Sequence, residues 1–188
     1  MLAGGPIDVW VNNAGLAVYG PFAEQDPADI AAVMRLNLEA PIDLCRRVLP
    51  GMLERRSGHL VNVSSVAMAV TTPGFATYGA SKSGVSAFDA SLGLELEGTG
   101  VGLTTVEIGE VDTEMLRYLR SDPEIDAIFA RTEKLGAQRL LQPDDVASAI
   151  VEAIVEKKRY VRLPRRAAVF PAWVNGPRTL SNLANRWL

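Results

Sequence analysis

His59-Leu60-Val61-Asn62-Val63-Ser64-Ser65, followed after a charge-free segment by Tyr78-Gly79-Ala80-Ser81-Lys82, are the residues whose reading decides the fold. The first is a short apolar, β-branched run ending in small polar residues, which reads as a buried strand. The second opens a long helix of small residues, Thr77 to Leu96, closed by Gly98, and a helix so poor in bulky side chains is expected to pack closely on a neighbour. Working outward, Ile7–Asn12 (IDVWVN) is another buried strand between Gly-Gly-Pro and Asn-Ala-Gly. From Asp26 or Pro27 to about Arg55 the apolar residues follow helical spacing, with Asp26 as N-cap, Pro27 at the first helical position and a bend expected near Pro41. Gly102–Ile108 and Arg159–Leu163 supply two more strands, and Pro143 opens an amphipathic helix through Glu156. Between them, residues 112–136 are mixed, charged and interrupted by Pro123, which suggests short helices in a mobile lid. Strands alternating with helices call for a parallel sheet covered on both faces, with right-handed crossovers, in a single α/β domain spanning residues 1–188.

Composition removes several function classes. The 188 residues carry a net charge of −3, with Cys45 the single cysteine and His59 the single histidine. A Ser-His-Asp hydrolase would depend wholly on His59, and a zinc centre would lack its usual ligands, so no metal site is expected. A length of this order buries enough surface to fold without disulfides. No run reaches the roughly 18 apolar residues of a membrane span, no basic region precedes the first apolar stretch, and the expected location is the cytoplasm. The charge is uneven: residues 157–188 hold eight Lys and Arg and no acid, leaving the rest at −11. General nucleic-acid binding is not expected. The tail, with Phe170, Trp173, Leu180, Leu183 and Trp187, reads either as a C-terminal helix packed over the sheet edge or an oligomer interface, or as a basic amphipathic helix on an anionic membrane surface. Lys157-Lys158-Arg159 reads as a solvated helix end, and Cys45 as a core residue.

The chemistry concentrates around Tyr78 and Lys82. Four positions apart on a helix, the two side chains share a face. A phenol titrates near pH 10 unaided, and a neighbouring ammonium favours the phenolate, which suits a general acid/base acting on an alcohol or carbonyl. The same spacing also describes an ordinary half-buried tyrosine beside a solvated lysine, so context decides. Ser64-Ser65 and Asn12-Asn13-Ala14-Gly15 both lie at the carboxyl ends of expected strands, where open α/β sheets bind ligands.

With VNNAG (11–15), the Asn37 of RLNLEAP, VNVSS (61–65), YGASK (78–82) and the Gly109/Thr113 pair of EIGEVDT in this order, the chain resembles the short-chain dehydrogenase/reductase family over essentially its whole length. The resemblance implies the C-terminal part of a doubly wound, Rossmann-type parallel sheet with four strands. It implies an oxidoreductase that uses NAD or NADP to interconvert an alcohol and a carbonyl group. Residue by residue, Tyr78 would move the proton at the reacting oxygen, Lys82 would lower the Tyr78 pKa and bind the nicotinamide ribose, and Ser65 would hold the substrate oxygen. Asn37 would bind the water that relays protons to Lys82, and Ser64 would be structural. Asn12, Ala14 and Gly15 would sit against the cofactor and steady the sheet, with Gly109 and Thr113 at the nicotinamide.

The departures from the family pattern are Ile108-Gly109 in place of Pro-Gly, Met68 where a glycine commonly follows the double serine, and Ala40 where one follows the asparagine. The largest departure is that the first strand corresponds to the family's fourth, so about two βαβ units, on the order of 60 residues at roughly 30 per unit, have no counterpart. Gly4-Gly5 precede that strand and open no helix. The chain therefore reads as a fragment of a longer enzyme, a short product completed by a partner or a swapped copy, or a non-catalytic interaction module using the exposed edge strand. The uncharged stretch Val66–Phe75 favours an apolar alcohol or ketone, or else is simply core at a helix–sheet junction.

Overall fold

The computed structural model describes residues 5–134 and 139–165, with positions 169, 173 and 174. Four parallel strands, β1 (Val9–Asn12), β2 (Gly58–Val63), β3 (Val101–Ile108) and β4 (Tyr160–Leu163), lie side by side in chain order. The helices are α1 (Pro27–Met34), α2 (Ala40–Glu54), α3 (Ala76–Glu95), α4 (Glu114–Arg120), α5 (Pro123–Lys134) and α6 (Pro143–Val155). The α/β class and the four parallel strands match the sequence expectation. Beyond residue 165 the basic tail, apart from those isolated positions, lies outside the described residues.

Alternation along the strands assigns the two faces. Leu60 and Leu103, opposite each other in register, pack beneath Cys45, Val48 and Met52 of α2 and Leu92 of α3. The other face presents Val61, Val106 and Val161, and α6 covers them through Ala153. The strand order advances in one direction throughout, so a connection over the second face has the opposite hand to the first two. The crossovers are therefore not uniform in hand as expected: β3–β4 differs from the first two, and the long α4–α5 excursion gives the chain room to change sides. On β1, Trp10 and Asn12 face α2 while Val9 and Val11 are 42% and 44% exposed, because no helix among the described residues covers that end of the second face.

The long helix after β1 is indeed continuous. Asp26 caps α1 by accepting from the Ala28 amide at 2.8 Å, but the irregularity falls before Pro41, as a π-helical turn over Arg35–Glu39. Pro41 has no N–H to return to the carbonyl four residues earlier, and its ring crowds that carbonyl, so the helix widens there. The small-residue helix α3 fits against close neighbours: a Cβ on Gly84 would lie 2.8 Å from Leu38, and one on Gly93 would overlap the guanidinium of Arg159. Arg159 corrects a sequence expectation. It turns inward from the start of β4 and donates to the carbonyls of Leu103 and Asp89, while Lys158 behaves as expected, pairing at the surface with Glu152 and Glu156. Among the described residues no helix is long and apolar enough to cross a membrane.

Candidate active site

Helix α3 crosses the carboxyl end of β2 and brings three of the expected residues together. Ser65 caps the 3-10 turn Val66–Met68, accepting from the Ala67 amide at 3.1 Å, and its hydroxyl also shares a hydrogen bond with the phenol of Tyr78. Lys82 is buried, its Nζ donating to the Val63 carbonyl at 2.9 Å and lying 5.8 Å from the centre of the Tyr78 ring. Burial pushes the Lys82 ammonium down to about 8. Burial likewise pushes the Tyr78 phenol up, and in the chain alone it sets the direction of the Tyr78 shift, with the Ser65 hydrogen bond opposing it. Ser64 is structural, as expected, donating to the Lys82 carbonyl at 3.0 Å and meeting Ser86 Oγ at 2.8 Å.

Asn37, carried by the π-helical turn, is buried and fully engaged. Its amide oxygen accepts from the Leu16 N–H at 2.8 Å, and its amide nitrogen donates to the Leu16 carbonyl at 2.8 Å and to Ser81 Oγ at 3.1 Å. It thereby pins the loop after β1 beside Lys82. Gly15 in that loop sits beside both: a Cβ there would make ordinary contacts of 3.5 Å with Asn37 Oδ1 and Lys82 Nζ. Asn12 does not reach the cavity. Its amide donates to Asn62 Oδ1 at 2.7 Å and accepts from Trp10 Nε1 at 2.8 Å, so its contribution is to the sheet, and Asn13 is the member of the pair that lines the cavity.

A cavity of about 760 Å³ opens at the carboxyl ends of β1, β2 and β3, a volume ordinary for a small-molecule site. Ala14, Gly15, Ser65, Tyr78, Lys82, Gly109 and Thr113 all line it. Thr113 caps α4, accepting from the Leu116 amide at 3.4 Å, and Gly109 is held by its N–H to the Leu163 carbonyl at 2.8 Å. The uncharged stretch from Val66 to Thr72, with Phe75, forms one wall, and Leu116, Leu119 and Phe129 of α4 and α5 form another. Phe75 joins the walls, with ring centres 5.2 Å from Tyr19, 6.2 Å from Tyr78 and 6.3 Å from Phe129. Glu110, buried at the lining, is bound by Arg120 at 2.7 Å, and Arg120 also holds Asp126 and Glu133 of α5. Sequence reasoning missed Glu110 and Phe129. Glu110 lies in the loop after β3, between the motif residues Gly109 and Thr113, and the only signal for Phe129 was helical spacing in a segment dominated by charge.

These features agree with comparison to known proteins. A sequence model of the family described as short chain dehydrogenase matches residues 2–124. The ketoacyl reductase HetN of Nostoc sp. is 35% identical over 153 residues, which are 81% of this chain and 50% of that protein. The acetoacetyl-CoA reductase of Allochromatium vinosum is 32% identical over 169 residues, 88% of this chain and 67% of that protein. A gluconate 5-dehydrogenase from Burkholderia cenocepacia, solved in complex with NADP and tartrate, superposes with a TM-score of 0.76 at 23% identity, over 89% of this chain and 67% of that one, a likeness of fold. The chain spans about half the length of the Nostoc relative and two thirds of the other two. With the family model covering most of its length and the motif residues gathered at one cavity, the chain belongs to the short-chain dehydrogenase family.

Proposed function

We propose that this chain carries the catalytic half of an NAD(P)-dependent oxidoreductase that interconverts a secondary alcohol and a ketone, or a related carbonyl, on an apolar substrate. The observation that carries the reading is the convergence of Ser65, Tyr78 and Lys82 at one cavity outside the strand ends. The reductase names of the relatives and the NADP in the Burkholderia structure support it.

The residues present fit the nicotinamide end of the cofactor. Lys82 borders the cavity, so an N–H not used by the Val63 carbonyl can meet a ribose hydroxyl, while Asn13, Ala14 and Thr113 line the adjoining wall. No strand, glycine-rich turn and helix follow one another among the described residues, so the contacts offered by these residues are those to the nicotinamide end. When bound, the nicotinamide supplies or accepts the hydride.

The proton steps fall to the chain. Ser65 Oγ donates to the substrate oxygen, and Tyr78, kept protonated by burial, is ready to give its proton to the oxygen of a carbonyl being reduced. Lys82, with its pKa near 8, can then pass a proton to the phenolate at neutral pH. The Asn37 side chain is spent on Leu16 and Ser81, so its relay water binds at the main-chain carbonyl, which Pro41 cannot engage. Asn12 steadies the sheet, and α4 and α5 act as the lid. The uncharged wall from Val66 to Phe75 favours an apolar substrate. The test is turnover of apolar secondary alcohols and ketones with either coenzyme. Tyr78→Phe should lower the rate by about 10²–10⁴-fold and leave dinucleotide affinity, read by calorimetry, nearly intact. Undiminished turnover in that variant, or a preference for carboxylate or phosphorylated substrates, overturns the reading.

A further inference from the structure

Tyr78, Lys82, Ser86 and Asp89 form one stripe of α3, at spacings of four, four and three residues. The stripe is bonded along its length to the end of β2, from Asn62 at Asp89 to Ser65 at Tyr78. Asn62 Nδ2 donates to Asp89 Oδ1 at 2.6 Å, Ser64 Oγ meets Ser86 Oγ at 2.8 Å, the Val63 carbonyl receives Lys82 Nζ at 2.9 Å, and Ser65 bonds the Tyr78 phenol. Asp89 closes the far end. It has no exposed surface, and its second carboxyl oxygen accepts from Thr105 Oγ1 of β3 at 2.9 Å. Asn62 accepts in turn from Asn12 of β1 at 2.7 Å, so one buried ladder joins the three strands whose ends build the cavity.

A buried carboxylate is a costly way to fill space, since an apolar side chain of similar volume would pack there at lower cost. What it offers is two acceptors in fixed geometry, one for each strand. A rotation of α3 by one residue, or a slide by one turn of about 5.4 Å, breaks both bonds together. The charged neighbours are Arg159, whose guanidinium donates to the Asp89 main-chain carbonyl, and Glu107 of β3, and Cys45 of α2 faces the same polar cluster.

We propose that Asp89 is a positioning residue for the Tyr78–Lys82 pair: by binding Asn62 and Thr105 at once, it fixes the register of α3 on the sheet and holds Lys82 in its buried seat against the Val63 carbonyl. Its bearing on catalysis rests on the function proposed above; its geometry does not. The experiment is NMR titration of the lysine ε-methylene signals, which number only four in this chain. Lys82 titrates at about 8 in the parent chain. In Asp89→Leu the loosened helix admits water, and the Lys82 midpoint rises by about one unit toward the ordinary lysine value. Loss of the carboxylate's charge alone would move Lys82 downward, so the sign separates release from electrostatics. Asp89→Asn, which keeps polar partners for both strands, restores the parent midpoint or lowers it slightly. Thr105→Val, a milder cut, gives a smaller rise and covers the case in which Asp89→Leu does not fold. Leu92→Ala destabilises the same helix without touching the ladder and leaves Lys82 unmoved. A Lys82 midpoint that is unchanged or lower in both Asp89→Leu and Thr105→Val, or an equal rise in Leu92→Ala, overturns the proposal. A shifted midpoint in a chain with no turnover counts against the proposed function alone, and turnover with an unmoved Lys82 counts against the positioning role alone.

Discussion

Replacing Asp89 with asparagine should turn a pH-dependent penalty into a constant one. Burial lifts the Asp89 carboxyl from 3.8 to about 6, against the opposing hydrogen bonds of Asn62 and Thr105 and the charge of Arg159. Because the folded value lies above the unfolded one, the folded chain holds the proton more tightly. The stabilisation from this group is complete below about pH 4 and is lost as pH rises through about 6. A shift of about two units corresponds to about 3 kcal/mol. The carboxamide that replaces the carboxyl does not ionise, so its altered hydrogen bonds add an offset that is the same at every pH. Urea unfolding of both chains at intervals from about pH 4 to 7.5 should therefore show the stability of Asp89→Asn relative to the parent climbing by about 3 kcal/mol across the window, then levelling. A flat difference would refute the reasoning, because it would mean that the donors from Asn62 and Thr105 fully offset burial and the carboxyl ionises normally.

Other outcomes follow from named contacts. Gly74→Ala should destabilise by about 1–3 kcal/mol, since Gly74 has φ +83° and a Cβ there would overlap the Tyr19 ring; thermal melting of the variant checks it. Asn37→Ala removes the three bonds that pin the loop after β1, so amide exchange at Leu16 should accelerate about 10-fold or more, each lost buried bond being worth about 1 kcal/mol. Arg120→Gln takes from Glu110, Asp126 and Glu133 the cation that gathers them, so limited trypsin cleavage at Arg117 should quicken while β2 and β3 stay protected.

Much of this was legible in the sequence because strand and helix periodicities are local. β2 and α3 were readable from VNVSS and YGASK, and Asp26 declared itself as a cap. What escaped depended on contacts between distant residues. The sequence of α6 does not say which face of the sheet it will cover, so the reversed hand at β3–β4 was invisible. Arg159 resembled a solvated helix end because nothing local reveals that Gly93, far along the chain, leaves a slot for its guanidinium. Asn12 resembled a cofactor ligand because it adjoins Asn13 in the motif, whereas the two-residue period of the strand turns one into the sheet and the other toward the cavity. Asp89 drew no attention: a lone acid in a helix ordinarily faces water, and only its partners on β2 and β3 explain its burial.

The most direct test of the central claim is calorimetric titration of the folded 188-residue chain with NADH and NADPH. The account predicts saturable binding of one or both, lost in Lys82→Ala and retained in Tyr78→Phe. No saturable binding to a folded chain, or binding indifferent to Lys82, would contradict it.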